Sequence, residues 1–361
     1  MKKLVLATAV LASTLILTAC SGSHEASKIS SSSEDSLETI IDKAKTEGEL
    51  SSVGMPDSWA NWEGTWKGIS SEYSIKHTDT DMSSAEELAK FEAEGKNGSA
   101  DIGDVGISFG PLAVSKDLTL AYKTSYWEDV PSWAKDDEGK WLLSYTGTIA
   151  FIVDTQTTSE LPSSWKELAA GKAKVSVGDV TVANQAQFGV LAAAMANDGN
   201  ESNITPGLEY FKKIAQQGRL SNTDSTVPNL EKGEVQVGIL WDFNALNYRD
   251  QIDHNRYKVI IPTDGSVMSG YSTIINKNAP HPNAAKLARE YILSDKGQIN
   301  LAKGYARPIR EIVKLPEEVK KKLLPDDQYQ SVTPVKDNKK WDEVAKELPE
   351  LWQSEVLSYA K

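Results

Sequence analysis

From residue 36 onward, segments of helical period alternate with segments of strand period, and that alternation is the strongest constraint on what the chain folds into. SLETIIDKAKTEG (36–48) sets Leu37, Ile40, Ile41 and Ala44 on one helical face and ends at Gly48, as a helix with a C-terminal glycine does. ELSSVGMP follows as a strand. MSSAEELAKFEAEG (82–95) offers Ser83 or Ser84 as its cap, acids in the first turn, Leu88 and Phe91 facing inward, and Gly95 at its end. ADIGDVGI is again strand-like. The pattern continues through TGTIAFIVDT (146–155), NQAQFGVLAAAMANDG (184–199), EVQVGILWDF (234–243), KVIIPTDG (258–265) and YSTIINKNAPHP (271–282), and helices dominate from 283 on. Strands interleaved with helices of this length predict an α/β protein with parallel sheets, helices on both faces and two lobes.

The first 35 residues have a different character. Lys2 and Lys3 precede an apolar run over 4–17, too short for a bilayer-spanning helix, which needs roughly twenty residues. Residues 1–19 therefore read as an export signal. Leu17-Thr18-Ala19-Cys20 fits the bacterial lipobox, in which a peptidase cuts before a cysteine that carries diacylglycerol. Cys20 is the only cysteine in the sequence, so lipid attachment is expected there, and no disulfide can staple the body, which must rest on a large core. The serine-rich SGSHEASKISSSSEDS lacks hydrophobic periodicity, so 20–35 is expected to be a flexible tether. The roughly 325 residues that remain suit one large or two medium domains. A formal net charge of -12 argues against a nucleic-acid partner. With four histidines, no H-x-H or H-E-x-x-H pattern and no phosphate-cradling G-x-x-x-x-G-K-[ST] loop, neither a zinc site nor any other cofactor is expected.

KNAPHPNAAKLAREYILSDKGQ (277–298) resembles a segment common in the extracellular solute-binding proteins of ABC importers: a small residue, Pro-His-Pro, an Ala-Ala helix, Leu-Ser and Gly-Gln. SSAEELAKFEAEGKNGSADIGDVG resembles a stretch of the branch that includes ferric-iron, phosphonate, thiamine and polyamine binders. The resemblance covers most of residues 36–310. It implies a periplasmic-binding-protein-like fold whose two lobes are joined by crossing strands and close by hinge motion on a solute held in the cleft between them. By analogy the first lobe holds 36–144 plus 265–361 and the second 145–264. The implied partners are a membrane permease and a separate ATPase.

Ligands of open α/β sheets bind beyond the carboxyl ends of strands, which nominates several loops. Asp57 and Trp59 in GMPDSWANW can hold a cation by charge and by the ring quadrupole. Ser83 and Ser84 open a helix whose N–H groups favour an anion. Asp104 and Ser108 follow in GDVGISFGP, Tyr145 and Thr146 lie in YTGTIA near a lobe crossing, and Trp241, Asp242 and Asn244 follow a strongly apolar strand. Asp242 there is also a candidate helix cap. Tyr271 completes the cleft by analogy with the returning strand of the family.

Asp57, Asp104 and Asp242 with Trp59, Trp241 and Tyr271 favour a cationic or zwitterionic solute, such as a polyamine or an amino-phosphonate, while the serine helix start favours an anionic group. Ferric binders of the branch present adjacent tyrosines where this sequence has Trp241, Asp242 and Phe243, which leaves ferric iron, or another anion or chelate, as the alternative. Gly106-Ile107-Ser108-Phe109-Gly110 also matches the G-x-S-x-G elbow of a secreted serine hydrolase. The match is short and its glycines would end the strand early, so no enzymatic activity is expected. A surface-interaction module without a closing cleft is a further class.

Overall fold

The computed structural model describes residues 35–360, so the expected signal segment, Cys20 and nearly all of the tether lie outside the described residues. Eleven strands are found among them: β1 (Glu49–Val53), β2 (Lys76–Thr80), β3 (Ile102–Gly106), β4 (Trp141–Asp154), β5 (Val175–Ser176), β6 (Leu220–Ser221), β7 (Val237–Trp241), β8 (Tyr257–Ile260), β9 (Ser266–Ile275), β10 (Arg307–Pro308) and β11 (Val332–Pro334). They form one curled sheet in the order β2-β1-β3-β9-β4-β7-β5-β6, with β8 and β10 added on β4 and β11 on β9.

The sheet is mixed, and this corrects the expectation of parallel sheets. β1 runs parallel to β2 and β3, and β5 runs parallel to β6 and β7. At the centre, β9 is antiparallel to β3 and to β4, and β4 is antiparallel to β7 and β8. Helical crossovers impose parallel pairing on the strands they join. The neighbours of β4 and β9 are distant in sequence, so no crossover governs their direction.

β4 links the two ends of this sheet. All fourteen of its residues are buried; Trp141 to Thr148 pair with β9, whereas Ile149 to Val153 pair with β7. The run over 146–155 read as a strand is thus the second part of a longer element that begins at Trp141. A bulge between Leu143 and Tyr145 shifts the register and re-aims the side chains that follow.

Helices form where the periodicity and caps place them. Ser36 accepts the Thr39 N–H at the start of Leu37–Glu47, which closes at Gly48 with φ 70. Ser83 and Glu86 form a capping box on the helix Ser84–Glu94. His281 precedes the helix Pro282–Leu293, and its ring and its N–H both bond to Asp101. The last long helix, Asn338–Glu355, is held by aromatic contacts, Trp341 against Phe188 at 5.1 Å and Trp352 against Phe211 at 5.3 Å between ring centroids. Trp62, Trp165, Trp241 and Trp341 are all fully buried, as a body without disulfides requires.

Gly147, near the change of partners in β4, makes room for Phe243: a Cβ there would lie 2.5 Å from its Cε1. Gly147→Ala is therefore expected to displace Phe243 and lower the unfolding free energy in urea by about 1–3 kcal/mol, the usual cost of overpacking a core.

Candidate functional site

The loop after β1, the start of the helix Ser84–Glu94, β3, β9 and the start of the helix Asn184–Met195 converge on a cleft of about 300 Å³. Trp59, Asp81, Glu87, Asp104, Asn184 and Tyr271 are among its walls. Its floor is organised by a chain of donors: the Trp59 Nε1–H donates to the Tyr145 hydroxyl at 2.7 Å, and that hydroxyl donates to Asp104 Oδ2 at 2.7 Å. Trp59 also sets its edge against Tyr271 and Phe243, with centroids 5.5 and 5.4 Å away, while Tyr145 stacks on Tyr271 at 5.8 Å.

Asp104 lies within β3, opposite Thr273 of β9, and is 2% exposed. Its second oxygen, Oδ1, has no hydrogen-bond partner among the described residues. Glu87 reaches the same place from the helix Ser84–Glu94, and its Oε2 accepts the Asp104 backbone N–H at 3.1 Å. Two glycines admit it. A Cβ at Gly54 would lie 2.1 Å from the Glu87 carboxylate and one at Gly103 2.4 Å from it.

Burial dominates the electrostatics. It raises the Asp104 carboxyl to about 8, against the opposing pull of the Tyr145 and Trp62 donors. Burial, followed by the proximity of Asp104, also holds Glu87 well above the usual carboxylate range, and burial raises Asp81. Burial thus favours the neutral form of both acids, and Asp104, at about 8, is mostly protonated at neutral pH. No lysine, arginine or histidine lines the cleft among the described residues.

Of the residues nominated from the sequence, Trp59, Ser83, Ser84, Asp104 and Tyr271 meet in this cleft. Three others stand directly behind it. Tyr145 acts through Asp104, the Trp241 Nε1–H donates to the Tyr271 hydroxyl at 3.2 Å, and Asn244 donates to Gln185 Oε1 at 2.9 Å.

The remaining four are engaged elsewhere. Asp242 is buried with both oxygens satisfied internally: Oδ1 accepts the Thr148 and Phe243 N–H groups, each at 2.9 Å, and Oδ2 accepts the Tyr329 hydroxyl at 2.6 Å. It is the first residue of the helix Asp242–Ile252 and fastens that helix to β4. Thr146 pairs with Arg307 of β10, and Asp57 is exposed to solvent.

Ser108 lines a separate cavity of about 430 Å³. The strand, turn and helix of a nucleophile elbow are present around it, since β3 ends at Gly106 and a helix, Phe109–Ser115, follows. A histidine base is not: among the described residues the three histidines bond elsewhere, His77 to Ser52, His254 to Asp250 and His281 to Asp101, and the acid beside Ser108 is Asp342, whose carboxyl burial raises to about 6.

Sequence reasoning missed Asp81, Glu87, Asn184 and Gln185. For Glu87 a signal exists: it lies three residues after Ser84, on the same face of the helix as Leu88 and Phe91, where an acid is out of place unless it is used.

A strand-end cleft walled by both parts of a two-lobed α/β fold is the architecture of solute-binding proteins. The comparisons agree. The chain belongs to the family of bacterial extracellular solute-binding proteins, whose model matches residues 97–338. The periplasmic binding protein AfuA of Actinobacillus pleuropneumoniae, solved with fructose-6-phosphate bound, is similar in fold, with a TM-score of 0.72 and 18% identity over 85% of this chain and 98% of that one. A ferric binding protein from Campylobacter jejuni gives a TM-score of 0.62 and 20% identity over 84% and 98% of the two chains. In sequence, a sulfate-binding protein of Escherichia coli is 23% identical over 174 residues, 45% of this chain and 52% of its own length. These relatives are binding proteins and not enzymes, and the molecule is an extracytoplasmic solute-binding protein of the kind that serves ABC importers. Among the described residues no helix is long and apolar enough to cross a membrane.

The raised Asp104 pKa fixes the sign of a stability effect. The unperturbed value is 3.8 and the folded value about 8, so Asp104 contributes stability that is fully present below the first and is lost as pH rises through the second. The urea midpoint of the empty protein should fall between pH 6 and pH 9, and Asp104→Asn should flatten that fall; an identical slope in the variant would contradict the assignment.

Proposed function

We propose that the cleft captures a small organic cation, or a zwitterion held by its cationic end, such as a polyamine or an amino-phosphonate, and delivers it to an ABC permease and its ATPase. The observation that carries this reading is the composition of the walls: Asp81, Glu87 and Asp104, acids that a bound cation would draw into their ionised forms, line the cleft with Trp59 and Tyr271, and no basic side chain stands beside them among the described residues. A cation gains from the carboxylates and from the ring faces together. The helix start at Ser83 and Ser84, which by itself favours an anion, is already served by the protein's own acids. Glu86 accepts the Ser83 N–H at 2.8 Å, and the Ser84 hydroxyl accepts the Gly106 N–H at 3.0 Å. A bound sulfate or sugar phosphate would face three carboxyl groups with no basic side chain beside it.

Ferric iron fares no better. It prefers phenolate oxygens, yet burial pushes the hydroxyls of Tyr145 and Tyr271 upward, away from ionisation. Among the described residues no cluster of histidine, cysteine and acidic side chains is arranged to hold a metal ion.

The proposal extends to the setting. Cys20 carries the lipid that holds the protein at the outer face of the membrane, and residues 20–35 give it reach. The body divides into a lobe of 36–144 with the segment from 265 on and a lobe of 145–264, with β4 and β9 crossing between them. The helix Asn338–Glu355 is seated on the second lobe through Trp341 and Trp352. Closure about the crossing strands holds the Asn184 side against the Asp104 side around the solute, the arrangement in which Asn184 packs on Gly106.

A cation beside Asp104 favours its ionised form, so binding releases a proton and affinity should rise with pH until about 8. Calorimetry at pH 7 in buffers of different ionisation enthalpy should show that release. Asp104→Asn should weaken binding at least tenfold and abolish the proton release. The ligand is found first by a thermal-shift screen of polyamines, amino-phosphonates, phosphorylated compounds, thiamine and ferric chelates, because a solute that binds only the folded state raises the melting temperature. A shift with sugar phosphates or ferric chelates and none with organic cations would falsify the reading.

A further inference from the structure

Two short stretches of chain run between the acidic cleft and the neighbouring cavity of about 430 Å³ and face both. In the first stretch Asp104 lines the cleft and Ser108 lines the second cavity. In the second, Asn184 and Gln185 line the cleft, while Thr181 and Gln187 line the second cavity. The stretches meet at Gly106 and Asn184, where a Cβ on Gly106 would fall 2.4 Å from Asn184 Cγ. The Asn184 side chain thus packs directly on the Gly106 backbone, where each stretch passes from the residues of one space to those of the other.

Asn184 is 5% exposed, and neither its Oδ1 nor its Nδ2 has a hydrogen-bond partner among the described residues. An amide sealed without well-formed partners is unfavourable, and the polar group it approaches, the Tyr271 hydroxyl, belongs to the cleft itself. Such a group is a movable partition. Beyond it Phe109, Pro111 and Leu112 line the second cavity with Ala345 and Pro349 of the C-terminal helix, which also brings the charged Lys339, Asp342, Glu343 and Lys346 to it.

We propose that the two spaces are parts of one solute site, with Asn184 as the partition, and that the solute is an organic ammonium ion bearing an apolar substituent. The charged end lies among Asp81, Glu87 and Asp104. The apolar end displaces the Asn184 amide, which turns to hydrogen-bond the solute, and packs against Phe109, Leu112 and Ala345. The inference rests on the cation reading of the cleft and adds the apolar half of the substrate.

The test is calorimetry of the full chain with straight-chain primary alkylammonium ions from methyl to hexyl; uptake by detergent is common to all variants and cancels. Once the tail passes the wall, affinity should rise roughly fourfold for each further methylene, the transfer value for a buried CH₂. Ala345→Phe, and from the opposite wall Leu112→Phe, should remove that gain and leave methylammonium binding unchanged, with circular dichroism confirming the fold. Asn184→Ala should make the gain begin at a shorter chain. If methylammonium binds in an Asp104-dependent way but the gain is absent, or survives both filling substitutions, the two-part site is wrong and the cation reading stands. If no alkylammonium ion binds at any length, the two-part site is wrong, and the cation reading stands or falls on the polyamines and amino-phosphonates of the thermal-shift screen.

Discussion

Strand β4 bonds to β9 with its first eight residues and to β7 and β8 with the rest, so one continuous, fully buried strand holds the two parts of the sheet in register. The bulge between Leu143 and Tyr145, near its start, is what sets Tyr145 beneath the cleft, and the Tyr145 hydroxyl is the donor that reaches Asp104. Asp242 secures the same strand from the other side by accepting the Thr148 N–H and the Tyr329 hydroxyl. A relative movement of the two sheet parts therefore changes the surroundings of the binding carboxyl through a direct chain of covalent and hydrogen bonds.

The buried acids are the second constraint. Placing two carboxyl groups in a dry strand-end cleft is unfavourable in their charged forms, and the fold accommodates them by leaving them protonated and by removing side chains around them. Gly54 and Gly103 leave the space that Glu87 occupies. The arrangement is poor for the stability of the protein at alkaline pH, and under the proposed function it is the arrangement that favours a cation. On that proposal the same residues oppose stability and favour capture.

The variety of ligands among similar folds agrees with this division of labour. A sugar-phosphate-bound protein and a ferric binder share the architecture with this chain. The scaffold supplies a hinge and strand ends, and a few side chains at those ends decide the solute. Here the differences that matter are acids where an anion binder needs donors, and indole and benzyl side chains at Trp241 and Phe243 where the resembling ferric binders present tyrosines.

The periods of 3.6 and 2, the serine caps and the terminal glycines act within windows of a few residues, and those features were legible: the helices Leu37–Glu47 and Ser84–Glu94, the strands that alternate with them, and the two-lobed α/β class all follow from them. Strand-end loops are equally legible and point to Trp59 and Asp104, whereas Tyr271 follows only from the resemblance to the family's returning strand. The antiparallel course of β9, the sealing of Glu87 by glycines 33 residues before it and 16 after it, the internal use of Asp242 and the wedge of Asn184 on Gly106 could not be read in this way. Each is a contact between segments far apart in the chain, and whether a polar side chain there is a ligand contact, a structural tie or a partition depends on which partners surround it. Local pattern by itself determined what the segments are; only tertiary packing decided which acids are buried, because burial is a property of neighbours that no short stretch of sequence contains.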